Sequence, residues 1–485
     1  LKKLTGGGAT AAITSKGVVI VMIDAEDADF LTRLHEMVVG FAKGDAERQG
    51  NAGRVKSVDY RGAKCWELGD NQAHTVLGRR FISASKPEGL KAVLDTKAGT
   101  EAQSLLSLPA YQAAKKAAGE DAAARAYVNL GIIKQIPGVH AALDKNTNPL
   151  GALLFAGMID AVRQSNWLAL SLNVDKETLS VAATMDGRAG GKADLSAFAR
   201  SEKPGEGAMP NLSVPRRIAA MSFYRDLHGF YAAKDKLFPE RTSGLIFFEN
   251  MMAIFFSGRD LTEEVFSQFR PEIRFVVAEQ KYDPEFGIPQ VQFPSFAVIF
   301  KVFHPKEAAE LMEEAFQKAV GLVSFTSGQK GVPGYIVDRP THSDVRYTVA
   351  YSGKVRGEEK GPVGIRYNFR PTLALLGDSV ILSSADSLAR DLIDAIKKEM
   401  TAKPKPLADT NSLVEVDAVQ ISSILGANRK TLVRNNMMEK GASQQEAENN
   451  IGVLVNAVKL LGNASLSFGE HDKNVQARLT VKLNP

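Results

Sequence analysis

The stretch VVIVMIDAEDADFLTRLHEMVVGF, from Val18 to Phe41, decides the fold that we predict for this chain. Its first six residues are apolar and predict a buried β-strand. Asp24 then provides a cap for a helix, and Asp27 lies at the third helical position. The helix is predicted from an apolar stripe at helical spacing, formed by Phe30, Leu31, Leu34, Met37, Val38 and Phe41.

The same pattern returns in the second half of the chain, as FAVIFKVFHPKE from Phe296 to Glu307. His304 takes the cap position, 280 residues after Asp24 (304 − 24), and Pro305 takes the first helical position. Its apolar stripe consists of Leu311, Met312, Ala315, Phe316, Ala319 and Val320. A second strand followed by an amphipathic helix is therefore expected here.

Three further pairs of segments occur in the same order in both halves. They are 80–85 with 379–384, 126–130 with 412–416, and the hairpins 166–185 with 463–483. We interpret the four pairs as an internal duplication. The predicted fold class is α+β, with two related strand–helix units, each closed by a β-hairpin, and an intervening α/β segment.

Composition along the chain predicts five regions. They are a disordered or trimmed N-terminal end (1–16), a first α+β repeat unit (17–187), a flexible linker rich in Gly, Pro and charge (188–216), a middle segment with an apolar helix (217–294), and a second repeat unit (295–485). At roughly 100–200 residues per domain, 485 residues suit such a division.

The overall composition excludes several classes of protein. Apolar residues make up 44% and charged residues 24%, which is typical of a globular protein rather than a disordered or collagen-like one. The net charge of +5 is small and well mixed, so we predict no nucleic-acid partner. No apolar run reaches the roughly 20 residues that span a bilayer, so we predict no transmembrane segment.

A search for catalytic and metal-binding patterns leads to no assignment. The single cysteine, Cys65, can form neither an internal disulfide nor a zinc site by itself. The chain contains no phosphate-binding glycine loop, no nucleophile elbow and no His-Glu-x-x-His. We therefore predict no catalytic residue, no metal and no cofactor.

The densest polar and aromatic cluster is formed by Arg366, Tyr367, Asn368 and Arg370. An arginine offers a planar fork to an anion, and a tyrosine offers a stacking face to a sugar. We name these four residues as a weak ligand-binding candidate. The alternative interpretation is a strand edge that leads into the predicted core strand at 372–376.

The run LIFFENMMAIFF, from Leu245 to Phe256, has two interpretations. Its apolar residues surround a helix on all sides, which favours a buried helix at the junction of the two units. The same run could instead contact a lipid or a partner helix.

The segments Val18–Phe41, 81–85, 104–111, 126–130, 367–371 and 382–385 together resemble a known family. It is a family of large bacterial extracytoplasmic proteins, catalogued as a domain of unknown function of the three-three-five-two type. The resemblance implies an extracytoplasmic location in the periplasm, at the cell surface or in the medium. It implies no catalytic residues.

The resulting hypothesis is a non-catalytic, extracytoplasmic binding or scaffold protein. Its partner would be an unknown protein, a small molecule or a lipid, and no oligomeric state is predicted. Two alternatives remain, a hydrolase whose site is assembled from distant residues and a protein that handles lipids or lipoproteins.

Overall fold

The structure, a computed structural model, describes residues 2–69, 71–99, 104–136, 138–139, 153, 158, 160–187, 198–199, 205–237, 243–282, 287–353, 363–471 and 474–484. The chain forms two compact units. We call Leu1–Ala113 unit 1 and Ala114–Pro485 unit 2, and each is described by itself.

Unit 1 contains an antiparallel sheet of six strands in the order β1-β2-β6-β5-β4-β3. The strands are β1 (Ala9–Ile13), β2 (Val19–Asp24), β3 (Val55–Tyr60), β4 (Ala63–Leu68), β5 (Ala73–Leu77) and β6 (Arg80–Ala84). The helices are α1 (Lys2–Thr5), α2 (Ala28–Arg48) and α3 (Pro87–Lys97), and α4 (Pro109–Ala118) crosses into unit 2.

The core of unit 1 forms between the sheet and α3. Ile20 and Ile82 from neighbouring strands pack with Leu90 and Leu94 of the helix, and all four side chains are buried. Helix α2 begins later than the sequence suggested. Its cap is Asp27, whose carboxylate accepts a hydrogen bond from the Phe30 amide.

Unit 2 contains a sheet of fourteen described strands. Their order is β13-β15-β16-β17-β12-β11-β10-β18-β19-β20-β9-β8-β7, with β14 paired to β15. The strands are β7 (Ala124–Asn129), β8 (Trp167–Val174), β9 (Thr178–Met185), β10 (Arg217–Tyr224), β11 (Phe269–Ala278), β12 (Ser295–Val302), β13 (Tyr335–Asp338), β14 (Thr341–His342), β15 (Val345–Ser352), β16 (Thr372–Leu376), β17 (Ser379–Ser383), β18 (Thr410–Asp417), β19 (Asn463–His471) and β20 (Asn474–Lys482).

Nine helices are described in unit 2 beside α4. They are α5 (Leu130–Ile133), α6 (Leu227–Ala232), α7 (Lys234–Leu237), α8 (Ser243–Phe255), α9 (Pro305–Gly328), α10 (Asp386–Ala402), α11 (Ala418–Ala427), α12 (Arg429–Lys440) and α13 (Gln444–Leu460).

Helices cover both faces of the sheet of unit 2. Ile381 of β17 packs into a core with Leu392 of α10, whereas its neighbour Val380 packs into a second core with Phe316 of α9. Because successive side chains of a strand point to opposite faces, the two cores lie on opposite sides of the sheet. Helix α8 adds Leu245 to the second core.

The α+β fold class predicted from the sequence is confirmed. Part of unit 1 and part of unit 2 also share a strand order, since β1-β2-β6-β5-β4-β3 corresponds to β11-β12-β17-β16-β15-β13. In both sheets a long helix follows the second of these strands, and another helix follows the third. The duplication itself stays a prediction.

The compact units divide the chain at a different place from the predicted regions. The predicted first repeat unit, 17–187, continues past Ala113, because its closing hairpin belongs to the larger sheet. Strand β9 of that hairpin pairs along its whole length with β20. Sequence patterns locate strands but do not specify which strands pair across distant segments.

The two segments expected to lack structure also differ from the prediction where they are described. Within 1–16, β1 forms five residue pairs with β2, because its backbone completes the edge of that sheet. Most of 188–204 lies outside the described residues. The rest of the predicted linker contributes Leu212 and Val214 to the first core of unit 2.

Candidate functional site

The cluster named from the sequence lies on a 3-10 turn, Ile365–Asn368, and the residues after it. Asn368 is buried, and its amide nitrogen donates to the carbonyl oxygens of Val291 and Ile365, at 2.9 Å each. Its carbonyl oxygen accepts from the Phe293 amide at 2.9 Å and from the Tyr282 hydroxyl at 2.7 Å. Burial raises the pKa of Tyr282 to about 12, which keeps this hydroxyl a donor.

The other three residues of the cluster also contact the protein itself. The Arg366 guanidinium lies over the Tyr367 ring, and the Tyr367 hydroxyl donates to the Gly353 carbonyl at 3.2 Å. Arg370 lies 3.3 Å from the Asp386 carboxylate and over the Tyr351 ring. These contacts fix the turn, and the ligand-binding role of the four residues stays a prediction.

A cavity of about 500 Å³ lies elsewhere in unit 2, where four neighbouring strands begin or end. We call it the strand-end pocket. Strands β10 and β19 begin at this edge, and β18 and β20 end there, since neighbours in an antiparallel sheet run in opposite directions. Its lining residues are Ser213, Val214, Arg216, Arg217, Glu415, Val416, Asp417, Gln420, Asn463, Ala464, Ser465, Thr480 and Lys482.

Two rows of polar residues cross the strands at this pocket. Glu415, Ser465 and Thr480 are directly paired across β18, β19 and β20, and Asp417, Asn463 and Lys482 form the next row. Because side chains alternate along a strand, both rows, two residues apart, lie on one face of the sheet. The result is a polar surface at the end of a sheet.

Two arginines enter the pocket from an irregular start of β10. Arg216 has a left-handed backbone with φ of 54°, and the pairing with β11 shifts between Arg217 and Ala219. Such shifts redirect side chains at the ends of sheets and are common beside functional sites. Here the irregular start places both residues in the lining of one pocket, while the Arg216 guanidinium also donates to the Glu279 carbonyl at 3.2 Å.

The charged groups of the pocket differ in how far they are already paired. Arg217 forms an ion pair with Glu415 at 2.9 Å, and Arg216 lies 3.8 Å from Asp391. Asp417 caps α11, because its carboxylate accepts from the amides of Val419 and Gln420 at 2.9 and 3.2 Å.

Lys482 differs from these groups because its ammonium forms no hydrogen bond or ion pair with the part of the chain that the structure describes, and its side chain is exposed. Beside it, Gly462 has φ of 59°, and a Cβ there would overlap the carbonyl oxygen of Lys482. Glycine therefore allows the strands to approach closely at this end of the pocket.

The chemistry of the strand-end pocket suits binding better than acid–base catalysis. Its described lining contains no histidine or cysteine, one carboxylate is in an ion pair and the other caps a helix. Ammonium, guanidinium, amide and hydroxyl donors predominate, and these groups recognise carboxylates, phosphates and sugar hydroxyls.

Sequence reasoning missed this pocket. The signal in the sequence is a polar residue at every second position of three strand ends, as in Glu415-Val416-Asp417. That alternation indicates a polar strand face but does not indicate which strands are neighbours. The pairing of β18, β19 and β20 was needed to bring the residues together.

A second polar cluster joins the turn after α8 to helix α9. The Glu314 carboxylate accepts hydrogen bonds from Lys318, Ser257 and Arg259, which together lower the pKa of Glu314 to about 2. Ser257 also contacts the Lys318 ammonium. A serine beside a lysine can act as a nucleophile when the lysine accepts its proton, but here Lys318 forms an ion pair with Glu314 at 2.8 Å.

The apolar run Leu245–Phe256, most of which forms helix α8, has buried residues and exposed residues. Leu245 and Phe256 are buried in the second core, whereas Phe247 and Ile254 are exposed.

Within the described residues, no group of three or more His, Cys, Asp or Glu side chains could hold a metal ion. None of the described helices is both long enough and apolar enough to cross a membrane.

Comparison with known proteins adds little to this geometry. No protein-family model matches the chain, and no curated protein does. One solved structure, described as "Structure of crystal form I of TP0453", is similar at 8% sequence identity, over 59% of this chain and 94% of that one. Its TM-score of 0.19 is too low to support a conclusion about fold or function. The resemblance to a domain of unknown function therefore stays a prediction.

Proposed function

We propose that this chain is a non-catalytic binding protein whose ligand occupies the strand-end pocket. The observation that carries the proposal is that two polar rows and two arginines line one half-open cavity of about 500 Å³. That volume lies within the range of small-molecule sites.

The ligand class follows from the lining. Arg217 and Glu415 pair with each other, whereas the exposed Lys482 ammonium has no ion-pair partner within the described residues and is open to an anionic ligand. Ser465, Thr480 and Asn463 surround it with hydroxyl and amide groups. We infer a small, polyhydroxylated molecule that carries a carboxylate or a phosphate.

Thermal unfolding in the presence of citrate, glucuronate or glucose 6-phosphate tests this function. A binding probe stabilises the native state by mass action, and at one hundred times its Kd the expected rise in Tm is about 4 °C or more. Lys482→Met should abolish the rise, whereas the matched control Lys430→Met, on the exposed side of α12, should preserve it. Equal Tm values with and without all three probes would contradict the proposal.

Lipid handling is a second candidate, and it is supported by the exposed face of α8. Phe247 and Ile254 are exposed on the side of α8 opposite the buried Leu245, so α8 presents an apolar surface. Flotation with phosphatidylcholine vesicles tests this function. If Phe247→Ser loses flotation while Ile13→Ser retains it, lipid handling is favoured. If the unaltered chain does not float, lipid handling is ruled out.

We further propose an extracytoplasmic location and an internal duplication. The first is supported by the family resemblance, and cell fractionation beside a cytoplasmic marker enzyme tests it. The second is supported by the common strand order of β1–β6 and of six strands in unit 2. Among the described residues, the contact between Ser257 and Lys318 does not support the hydrolase alternative, since Lys318 is paired with Glu314.

A further inference from the structure

Helix α2 of unit 1 has two apolar faces, and the sheet covers one of them. Leu31, Val39 and Ala46 are buried. The other face is exposed, with Phe41 at 69% and Met37 at 51% of their full accessible area. A contiguous exposed apolar face of this kind marks an interaction surface.

The exposed face follows the spacing of a coiled coil. We call its residues the outer seam, and they are Phe30, Leu34, Met37, Phe41, Gly44 and Arg48. Their separations alternate between four and three residues, which keeps them in line along a helix that packs against another helix. Leu34 is partly buried and Phe30 is exposed.

The corresponding helix of unit 2 indicates what kind of element suits such a surface. In the chain, α9 lies between β12 and β13, just as α2 lies between β2 and β3. These two pairs of strands take the same places in the shared strand order. Helix α9 is covered by another helix, α8, since Leu245 of α8 lies in the same buried core as Met312 and Phe316 of α9. A helix is therefore the natural cover for α2.

We propose that the outer seam of α2 binds the α2 helix of a second copy of this chain, in an antiparallel pair about a twofold axis near Val39. In this register Leu34 meets Gly44 of the second copy, and Met37 meets Phe41. Large residues face small ones, and a thioether faces an aromatic ring. Phe30 meets the guanidinium of Arg48, which favours a cation–π contact.

The charges beside the seam fit the same register. In an antiparallel pair the residues that flank the seam on one side face each other, so Arg33 lies opposite Glu47 of the second copy. Both are exposed. Gly40 and Gly44 have open space around them within the chain, so the partner helix can approach closely there.

The mixture of charges also favours a protein partner over a lipid surface. A helix that lies on an anionic membrane carries mainly lysine and arginine beside its apolar face. Between Phe30 and Arg48, α2 instead carries three acidic and three basic residues, Glu36, Asp45, Glu47, Arg33, Lys43 and Arg48. These charges complement a second α2 but not a layer of acidic headgroups.

Sedimentation velocity of the full chain over a wide range of concentration tests the pairing. We expect reversible dimers that Gly44→Leu weakens at least about tenfold. This variant keeps the fold, because a side chain at position 44 meets open space and leucine favours a helix more than glycine does. Ile13→Glu is the matched control, since Ile13 is an exposed apolar residue of unit 1 away from α2, and it should leave the dimer unchanged.

Charge reversal provides an independent measurement. Arg33→Glu and Glu47→Arg should each weaken the dimer, and the double variant should recover most of the association. If the double variant dimerised no more tightly than the weaker of the two single variants, the register would be overturned.

Cysteine cross-linking tests the orientation, and the native Cys65 is buried and does not interfere. In the antiparallel pair two copies of position 30 lie about 27 Å apart, at 1.5 Å per residue. Phe30→Cys alone should therefore stay reduced, whereas a mixture of Phe30→Cys and Arg48→Cys should form a mixed disulfide. A chain that stays monomeric at every concentration would overturn the proposal. So would a chain that forms no dimers but floats with vesicles, if Gly44→Leu abolished the flotation, because the seam would then bind lipid.

Discussion

Acidification should destabilise unit 1 through two histidine rings that contact each other edge to face. His74 of β5 is 4% exposed, and its ring lies 5.0 Å from that of His35 on α2, with Phe81 against both. Desolvation, with a smaller contribution from His35, lowers the pKa of His74 to about 4. Burial also lowers the pKa of His35, although the nearby Glu36 opposes this shift.

The sign and size of the effect follow from linkage. The unfolded chain binds a proton at His74 below about pH 6.5, whereas the folded chain does so only near pH 4. The unfolded state therefore gains protons first as the pH falls, and the stability of unit 1 decreases across this window. At about 1.4 kcal/mol per pH unit, the loss reaches about 3 kcal/mol at pH 4.

Hydrogen exchange measured by mass spectrometry tests this prediction in the full chain. After correction for intrinsic exchange rates, peptides from β5 and β6 should lose protection between pH 6.5 and 4.5. His74→Phe should remove most of the pH dependence, because an uncharged ring fills the same space. The control His304→Gln, at an exposed helix cap, should leave it unchanged. Equal pH dependence in the unaltered chain and in His74→Phe would refute the reasoning.

Three further predictions concern the stability of unit 2. Arg274→Met should cost about 3 kcal/mol in urea unfolding, because the partly buried Glu399 then loses the buried guanidinium that lies 2.6 Å from it. The double variant with Glu399→Leu should recover most of this loss. Asn368→Ala should lower the free energy of unfolding by about 3 kcal/mol, since four hydrogen-bonding groups lose their partner, and an unchanged Tm would contradict this role. Gly462→Ala should lower the free energy of unfolding by at least about 1 kcal/mol, because its Cβ would collide with the Lys482 carbonyl, and it should weaken binding of any probe in the strand-end pocket. An unchanged denaturation curve would show that the backbone relaxes there.

The sequence predicts local structure in this chain better than it predicts long-range pairing. The apolar run at 18–23 and the stripe that follows it correctly indicate a strand and a helix. The cap was displaced from Asp24 to Asp27, because Asp24 continues β2 and pairs with Arg80. A carboxylate near a helix start can serve either purpose, and only the position of the neighbouring strand decides between them.

The candidate sites show the same division. The residues 366–370 are close in sequence, so they were easy to name as a cluster, yet their polar groups bind other parts of the protein. The strand-end pocket combines short segments separated by up to about 270 residues. No single segment of it has an unusual composition. The exposure of the outer seam of α2 was also hidden, because periodicity shows that a face is apolar but does not show what covers it.

The pairing of β9 with β20 has a consequence for how the chain is made. Ser180 and Thr480 lie side by side although 300 residues separate them in sequence. During synthesis from the N-terminus, the edge of the β8–β9 hairpin stays unpaired until β20, whose Thr480 lies 300 residues after Ser180, has been translated. Contacts of such high sequence separation slow folding, and an open edge can pair with other chains. We therefore expect a chain shortened before β19 to bind a chaperone that shields strand edges and to aggregate when that chaperone is removed.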